Sequence, residues 1–404
     1  MTSKKRCPSK FLGHQRSVKY FDRGHKMQII SYEAGGSTEN DLHFPEINFG
    51  KFNLVVGDSA TGKSRLLNTI FNVGRMAAQK VQTQFFLGYW NIIFEHKSNR
   101  YKWSIETHKP EGDEEANIVQ EQLLVLENHS EYKLVERTID TFKFNGNDLP
   151  RLSPRESSIS LLRDEDLIKP IHEAFASILK RQFSGSVLDD TTSFQNITQN
   201  FIELIQKKRE LDLLFHSNLN LSCRLYILAE MFSDIYEKIC DEFKAIFPFV
   251  NEVKVLDAEQ FGLSYPGIVP VFAIKEKFHD KWISIKELSS GMKKVLLILT
   301  DISLLPKVGG VYLIDEYENS LGINAINTFP NVLLDSENSN QFIITSHHPY
   351  IIGNAPVKDW IMMHRKGNQI YVKQGEEIVK RFSKSRQQAF IQLINDPFFV
   401  EGVE

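Results

Sequence analysis

The segment Gly57-Asp58-Ser59-Ala60-Thr61-Gly62-Lys63-Ser64 limits the possible folds of this chain more than any other part of it. It has the pattern G-x-x-x-x-G-K-[ST]. An apolar run, Phe52-Asn53-Leu54-Val55-Val56, precedes it, and residues 62–80 after it have helical spacing. A strand entering a glycine-rich turn that opens a helix is the setting in which this pattern cradles phosphate. The glycines let the backbone wrap an anion, and the first N–H groups and dipole of the helix attract it. In that cradle Lys63 reaches the β- and γ-phosphates and Ser64 ligates Mg2+.

A chain of 404 residues has room for two or three structural units. With 25% charged and 42% hydrophobic residues, it is neither disordered nor fibrous. It lacks an apolar stretch of membrane-spanning length, so a membrane partner is not expected. The net charge of −3 gives no sign of a nucleic-acid binder, although a local basic surface could lie within it. Residues 1–26 hold eight Lys or Arg and one acid, Asp22, with no apolar core after them. This arm reads either as solvated or as a contact for nucleic acid or a partner. Cys7, Cys223 and Cys240 are too scattered for a disulfide framework or a zinc site, and they read as free thiols of a cytoplasmic protein.

Periodicity divides the rest. Residues 27–155 open with strand patterns at Met27–Tyr32, Leu42–Phe44 and Phe52–Val56. A hairpin signal follows at Tyr89–Glu95 and Tyr101–Ile105, and a polar stretch from 105 to 160, acidic at 111–115, reads as loop and edge strand. Residues 156–250 read as a helical insertion. Leu167, Ile168, Ile171, Phe175, Ile178 and Leu179 form one stripe, and Leu228, Met231, Phe232, Ile235, Ile239 and Phe243 form another. Residues 251–375 return to strands at 253–255 and 269–274, a helix over 291–304, and two fully apolar runs, Val311–Ile314 and Phe342–Ile344. Runs of that kind suit strands buried on both faces of an α/β sheet. Residues 376–404 read as a tail.

Three further motifs carry chemistry. Val311-Tyr312-Leu313-Ile314 ends in Asp315-Glu316, so that Asp315 would hold Mg2+ and Glu316 would polarise the attacking water. Leu288-Ser289-Ser290-Gly291-Met292 opens a helix, which suits either an anion site or an ordinary N-cap. His347, just past a buried strand, can reach a γ-phosphate, and adjacent His347 and His348 do not suit one shared metal.

In this order the motifs resemble those of ABC-type, SMC-like P-loop ATPases. Gly57–Ser64 resembles the Walker A loop, Leu288–Met292 the signature motif, and Asp315-Glu316 the Walker B end. Glu318-Asn319-Ser320-Leu321 resembles the D-loop and His347 the switch histidine. The resemblance implies an α/β head with a mixed, largely parallel P-loop sheet, an antiparallel β subdomain and a short helical insertion. It implies ATP and Mg2+ as cofactors, with Glu316 and His347 catalytic, Ser64 and Asp315 on the metal, and Ser289 and Gly291 completing the nucleotide site of a second head. Lys63 and Ser289 are 226 positions apart, which does not suit a compact transporter ATPase. A glutamine loop has only Gln82 and Gln84 as candidates after the first helix. The phrases Leu313–Leu321 and Ile344–Tyr350 resemble the OLD (overcoming lysogenisation defect) group of bacterial defence systems. In three places the sequence departs from these patterns: Ser59-Ala60 replaces the usual Asn-Gly, Gly322-Ile323 replaces His-Pro, and Ser290 replaces Gly. Phe398–Glu404 resembles the first strand and glutamate of a TOPRIM nuclease domain, a likeness read first as coincidence, and on either reading any cleavage is expected of another chain.

The expected activity is Mg-dependent ATP hydrolysis between two heads, in a nucleotide-gated sensor or scaffold of anti-phage defence. Its expected partners are a second copy and a separate effector, a nuclease or toxin. One alternative is a RecF-like DNA-repair ATPase that binds DNA. The other is a non-hydrolysing partner or inhibitor of a toxin.

Overall fold

The computed structural model describes residues 27–38, 41–78, 88–110, 116–127, 130–182, 193–215, 217–308, 310–318, 333, 340–382 and 386–401. The basic arm, Cys7, Gln82, Gln84, the 111–115 acids, Asn319 to Ile323 and residues 402–404 lie outside them.

The first strands are β1 (Gln28–Gly36), β2 (His43–Asn48) and β3 (Phe52–Val56), followed by helix α1 (Lys63–Ala78). Strands β4 (Gly88–His96), β5 (Asn99–His108), β6 (Asn117–Glu127), β7 (Ser130–Thr138), β8 (Phe142–Phe144) and β9 (Asn147–Asp148) form an antiparallel meander. The stretch from 105 to 160 is therefore mostly sheet, not the expected loop and edge strand. Its polar residues conceal the strands because a buried pair lies among them. Glu121 and Arg137 meet at 3.1 Å with almost no exposure, and Glu121 also accepts from Trp103 Nε1 and from Ser158.

Helices α2 (Ser158–Leu161) and α3 (Lys169–Ala176) lead into β10 (Ile178–Gln182). Ile178 and Leu179 thus belong to a strand rather than to the expected helical stripe, and Leu167 is exposed. The span read as a helical insertion returns to the main sheet here, because β10 pairs in parallel with β14 (Val311–Asp315). Helices α4 (Gln199–Lys208), α5 (Leu211–Phe215), α6 (Leu221–Met231) and α7 (Ser233–Ile246) follow. The single stripe expected across 228–243 is two helices, broken at Phe232 (φ −139°).

Strands β11 (Val250–Asp257), β12 (Pro270–Glu276) and β13 (Ile283–Ser284) make a separate small antiparallel sheet. Helix α8 (Ser290–Val308), strand β15 (Gln341–Thr345), helix α9 (Pro349–Asn354) and strands β16 (Trp360–Lys366) and β17 (Gln369–Gln374) follow. The C-terminal segment is folded as α10 (Gly375–Ile378), α11 (Arg386–Ile394) and α12 (Pro397–Glu401). Residues 398–401 lie in helix α12, with Phe398 and Leu393 buried in the core, which accords with reading the TOPRIM likeness as coincidence.

Among the described residues, fourteen strands form one mixed sheet in the order β10-β14-β15-β3-β16-β17-β2-β1-β4-β5-β6-β7-β8-β9. Its first five strands are parallel. The sheet separates two cores, which explains the uninterrupted apolar runs. Leu54, Val56, Tyr312, Ile314, Phe342 and Ile344 point to one core, with α6, α7, α8 and the small sheet. Val55, Val311, Leu313 and Ile343 point to the other, with α1 and the meander. Buried on both faces, these strands have no polar side to alternate with. No helix among the described residues is long and apolar enough to cross a membrane.

Candidate nucleotide site

The ends of β3, β14 and β15 converge beneath the start of α1. After β3 the chain must turn tightly beside β16, where a Cβ on Gly57 would lie 2.3 Å from the Met363 carbonyl oxygen. Gly62 adopts φ +97°, a region open to glycine. Asp58, Ser59 and Ala60 are exposed at the rim, and Thr61 Oγ1 donates to the Asp58 carbonyl at 2.9 Å. Lys63 folds back into this loop. Its Nζ donates to the Gly57 carbonyl at 2.8 Å and the Asp58 carbonyl at 2.7 Å. Burial lowers its pKa to about 8, against the opposing charges of Asp58, Asp315, Glu318 and Glu316.

Ser64 Oγ donates to Asp315 Oδ1 at 2.9 Å across a sequence separation of 251. The same oxygen accepts from Thr345 Oγ1 at 2.8 Å, and Asp315 is 3% exposed. The hydroxyl of Ser64 and the carboxylate of Asp315 fit Mg2+, which takes oxygen donors and is commonly held by one or two carboxylates together with substrate phosphates.

Glu316 follows β14 in the left-handed region, at φ +49°, with its side chain exposed. A non-glycine residue there is strained and persists only when its surroundings hold it. Thr345 supplies part of that hold: its Oγ1 accepts from the Glu316 N–H at 2.8 Å and its carbonyl from the Tyr317 N–H at 3.0 Å. Past β15, the His347 N–H donates to Glu318 Oε1 at 2.6 Å. The pKa of the His347 ring is lowered by partial burial and then by the charge of Lys63, which favours the neutral ring. Glu318 Oε2 is buried with no hydrogen-bond partner among the described residues. The structure therefore brings Gly57 to Ser64, Asp315, Glu316 and His347 together.

Ser289 and Gly291 stand apart from this group. Ser289 Oγ caps α8 by accepting from the Met292 N–H at 3.3 Å. Ser289 and Ser290 are exposed, and among the described residues neither Ser289 nor Gly291 hydrogen-bonds to the phosphate loop. Of the D-loop-like segment only Glu318 is described, and the Gln82 and Gln84 alternatives are outside the described residues. The register does place another glutamine, Gln182 at the end of β10, opposite Asp315. Sequence reasoning missed this position because it did not recognise the strand. It also missed Thr345, which the strand-end position shared with Asp315 could have signalled.

A family model described as "AAA domain, putative AbiEii toxin, Type IV TA system" (AAA_21) matches residues 52–353. Solved structures similar to this chain include an Smc head bound to the C-winged helix domain of ScpA, at 14% identity over 85% of this chain and 97% of that one, with a TM-score of 0.47. Another is an Smc head domain with an extended coiled coil bound to the C-terminal domain of ScpA from Pyrococcus furiosus, at 13% identity over 88% and 98%, with a TM-score of 0.45. A third is the SMC head domain from Thermotoga maritima, at 13% identity over 86% and 98%, with a TM-score of 0.40. No curated protein matches the sequence.

Proposed function

The chain belongs to the AAA_21 family of P-loop ATPases, and from that premise we propose that it binds ATP with Mg2+ and hydrolyses it between two copies of itself. The hydrogen bond from Ser64 to Asp315 is the observation that carries this reading, because it joins the phosphate loop to a strand-end carboxylate from the far half of the chain. In the reaction Lys63 exchanges the Gly57 and Asp58 carbonyls for phosphate oxygens, which are stronger, charge-assisted partners. Glu316 orients the attacking water and takes its proton, and the neutral His347 ring donates a hydrogen bond to the γ-phosphate. Ser64 and Asp315 would hold Mg2+, which would supply charge neutralisation for the phosphates. Ser289 and Gly291, at an exposed helix start, complete the site of the second copy through their N–H groups and hydroxyl.

The toxin–antitoxin wording of the family description supports a defence context, in which we read the chain as a nucleotide-gated sensor or scaffold. Closure on ATP would there control a separate effector, a nuclease or toxin, in anti-phage defence. The test is Glu316→Gln. The variant should retain ATP and shift to a larger assembly in its presence, as read by nucleotide content and mass in solution. A variant that neither retains ATP nor changes mass sinks the reading.

A further inference from the structure

We propose that Lys294 is a positioning residue for Glu316, holding the turn that carries the glutamate from the helix whose first turn carries Ser289 and Gly291. This role rests on the reading of Glu316 as the residue that acts on water.

Lys294 lies about one turn into α8 and is 0% exposed, an unusual place for a lysine. Its Nζ donates to the Tyr317 carbonyl at 2.7 Å and lies 3.4 Å from the Glu316 carbonyl. It also lies 5.9 Å from the centroid of the Tyr317 ring, which is itself buried. The turn after β14 is thus held from two sides. Thr345 of β15 accepts from the two N–H groups of Glu316 and Tyr317, and Lys294 of α8 reaches their two carbonyls. Both sides are needed because Glu316 is at φ +49°, where an L-residue does not settle unaided. Without the amine, the Tyr317 carbonyl loses this donor and the turn can relax. Relaxation would redirect the Glu316 side chain, since φ and ψ of that residue set the direction of its Cα–Cβ bond. The phosphate loop and Ser64 lie outside this contact, so nucleotide affinity should not follow.

This arrangement also ties the two halves of the proposed site together within one chain. A displacement of the start of α8, where a second copy's phosphate would press on Ser289 and Gly291, would reach the glutamate through one buried side chain. Lys294 would therefore act on rate and not on binding.

The experiment compares wild type, Lys294→Met, Glu316→Gln and the double variant. Methionine keeps the unbranched stem and removes the donors. The kcat of Lys294→Met should fall at least tenfold while the ATP dissociation constant stays within threefold. The double variant should be no slower than Glu316→Gln alone. Amide exchange over 315–318 should accelerate in Lys294→Met and stay unchanged over 52–56, a readout that serves even if the chain turns over slowly. A folded Lys294→Met with wild-type kcat and unaltered exchange overturns the inference, as does a loss of affinity equal to the loss of rate. If methionine prevents folding, Lys294→Gln, which keeps an amide donor on a shorter stem, should give an intermediate rate loss, and a wild-type rate there is equally adverse. A Glu316→Gln variant that hydrolyses normally removes the reading of Glu316 itself, an outcome distinct from a silent Lys294.

Discussion

Around Asp315 the polar groups are bound to partners from their own chain, whereas the start of α8 presents Ser289 and Ser290 to solvent with one capping bond. The loop end is pre-organised: Ser64, Thr345 and Asp315 are locked together, and Lys63 is parked on two carbonyls that phosphate can displace. The α8 end is a set of donors with no ligand from its own chain among the described residues. On the proposed reading, the difference teaches that one chain builds the end that holds a triphosphate and leaves the completion of the site for catalysis to a second copy.

Damage to either end should therefore leave a different signature. The largest effect should come from Glu316→Gln, which should lower kcat about 1,000-fold while ATP still binds, the scale expected of a general base. Ser289→Arg should leave ATP affinity of the monomer within a few-fold and lower kcat about 100-fold, the scale of one lost oxyanion-type donor. Equal losses of affinity and rate in that variant would erase the distinction between the two ends.

Thr345→Val should cost less. It leaves the Glu316 N–H without its partner and takes one donor from Asp315, at about 1–3 kcal/mol of stability by denaturant unfolding. A roughly tenfold fall in kcat should accompany it through the freed glutamate, about the scale of 1.4 kcal/mol in the barrier.

Raising the pH tests the loop end through nucleotide affinity. The free loop holds Lys63 at a pKa of about 8, below the ordinary 10.5, whereas a bound triphosphate favours the charged amine. Above pH 8, binding must therefore take up a proton, and affinity should fall as pH rises further. Titration calorimetry in two buffers of different ionisation heat reads that uptake directly. The same lowered pKa means that the unfolded chain binds more protons between pH 8 and 10.5, so the contribution of Lys63 to stability rises with pH across that window.

The smallest effect concerns Ala60, at φ +65° in the exposed rim of the loop. Ala60→Gly should relieve about 1 kcal/mol of left-handed strain and lose about 0.5–1 kcal/mol to added freedom of the unfolded chain. A shift in melting temperature of only a degree or two is expected.

What is local in this molecule is legible in its sequence. The passage from β3 through the loop to α1 carries its own motif, and the apolar runs at 311–314 and 342–344 suit strands with two covered faces. Segments whose logic lies in distant partners are hidden. In β10, Lys180 and Arg181 look like surface residues in the sequence, yet Lys180 bonds Asn68 on α1 and Arg181 forms a bidentate pair with buried Asp301 at 2.7 and 3.0 Å. Arg224 and the Tyr312 hydroxyl converge on the same carboxylate, which no local pattern could reveal. The meander hides its strands behind the buried Glu121–Arg137 pair. At the site, Lys294 looks like an exposed lysine in a basic pair until the turn at Glu316 is placed above it. Ser59-Ala60 in place of the usual Asn-Gly is visible in the sequence, and the left-handed φ of Ala60 gives that departure its physical content.

Complementation between two disabled variants tests the central claim most directly. Lys63→Ala lacks the loop amine but keeps an intact α8 start, and Ser289→Arg has the opposite defect. If two copies share each site, mixing the inactive proteins pairs the sound loop of one with the sound serine of the other. ATPase activity should then return to about a quarter of the wild-type rate, as random two-fold pairing dictates. A mixture no more active than its separate components, under conditions where the wild type associates and turns over, would contradict a shared site.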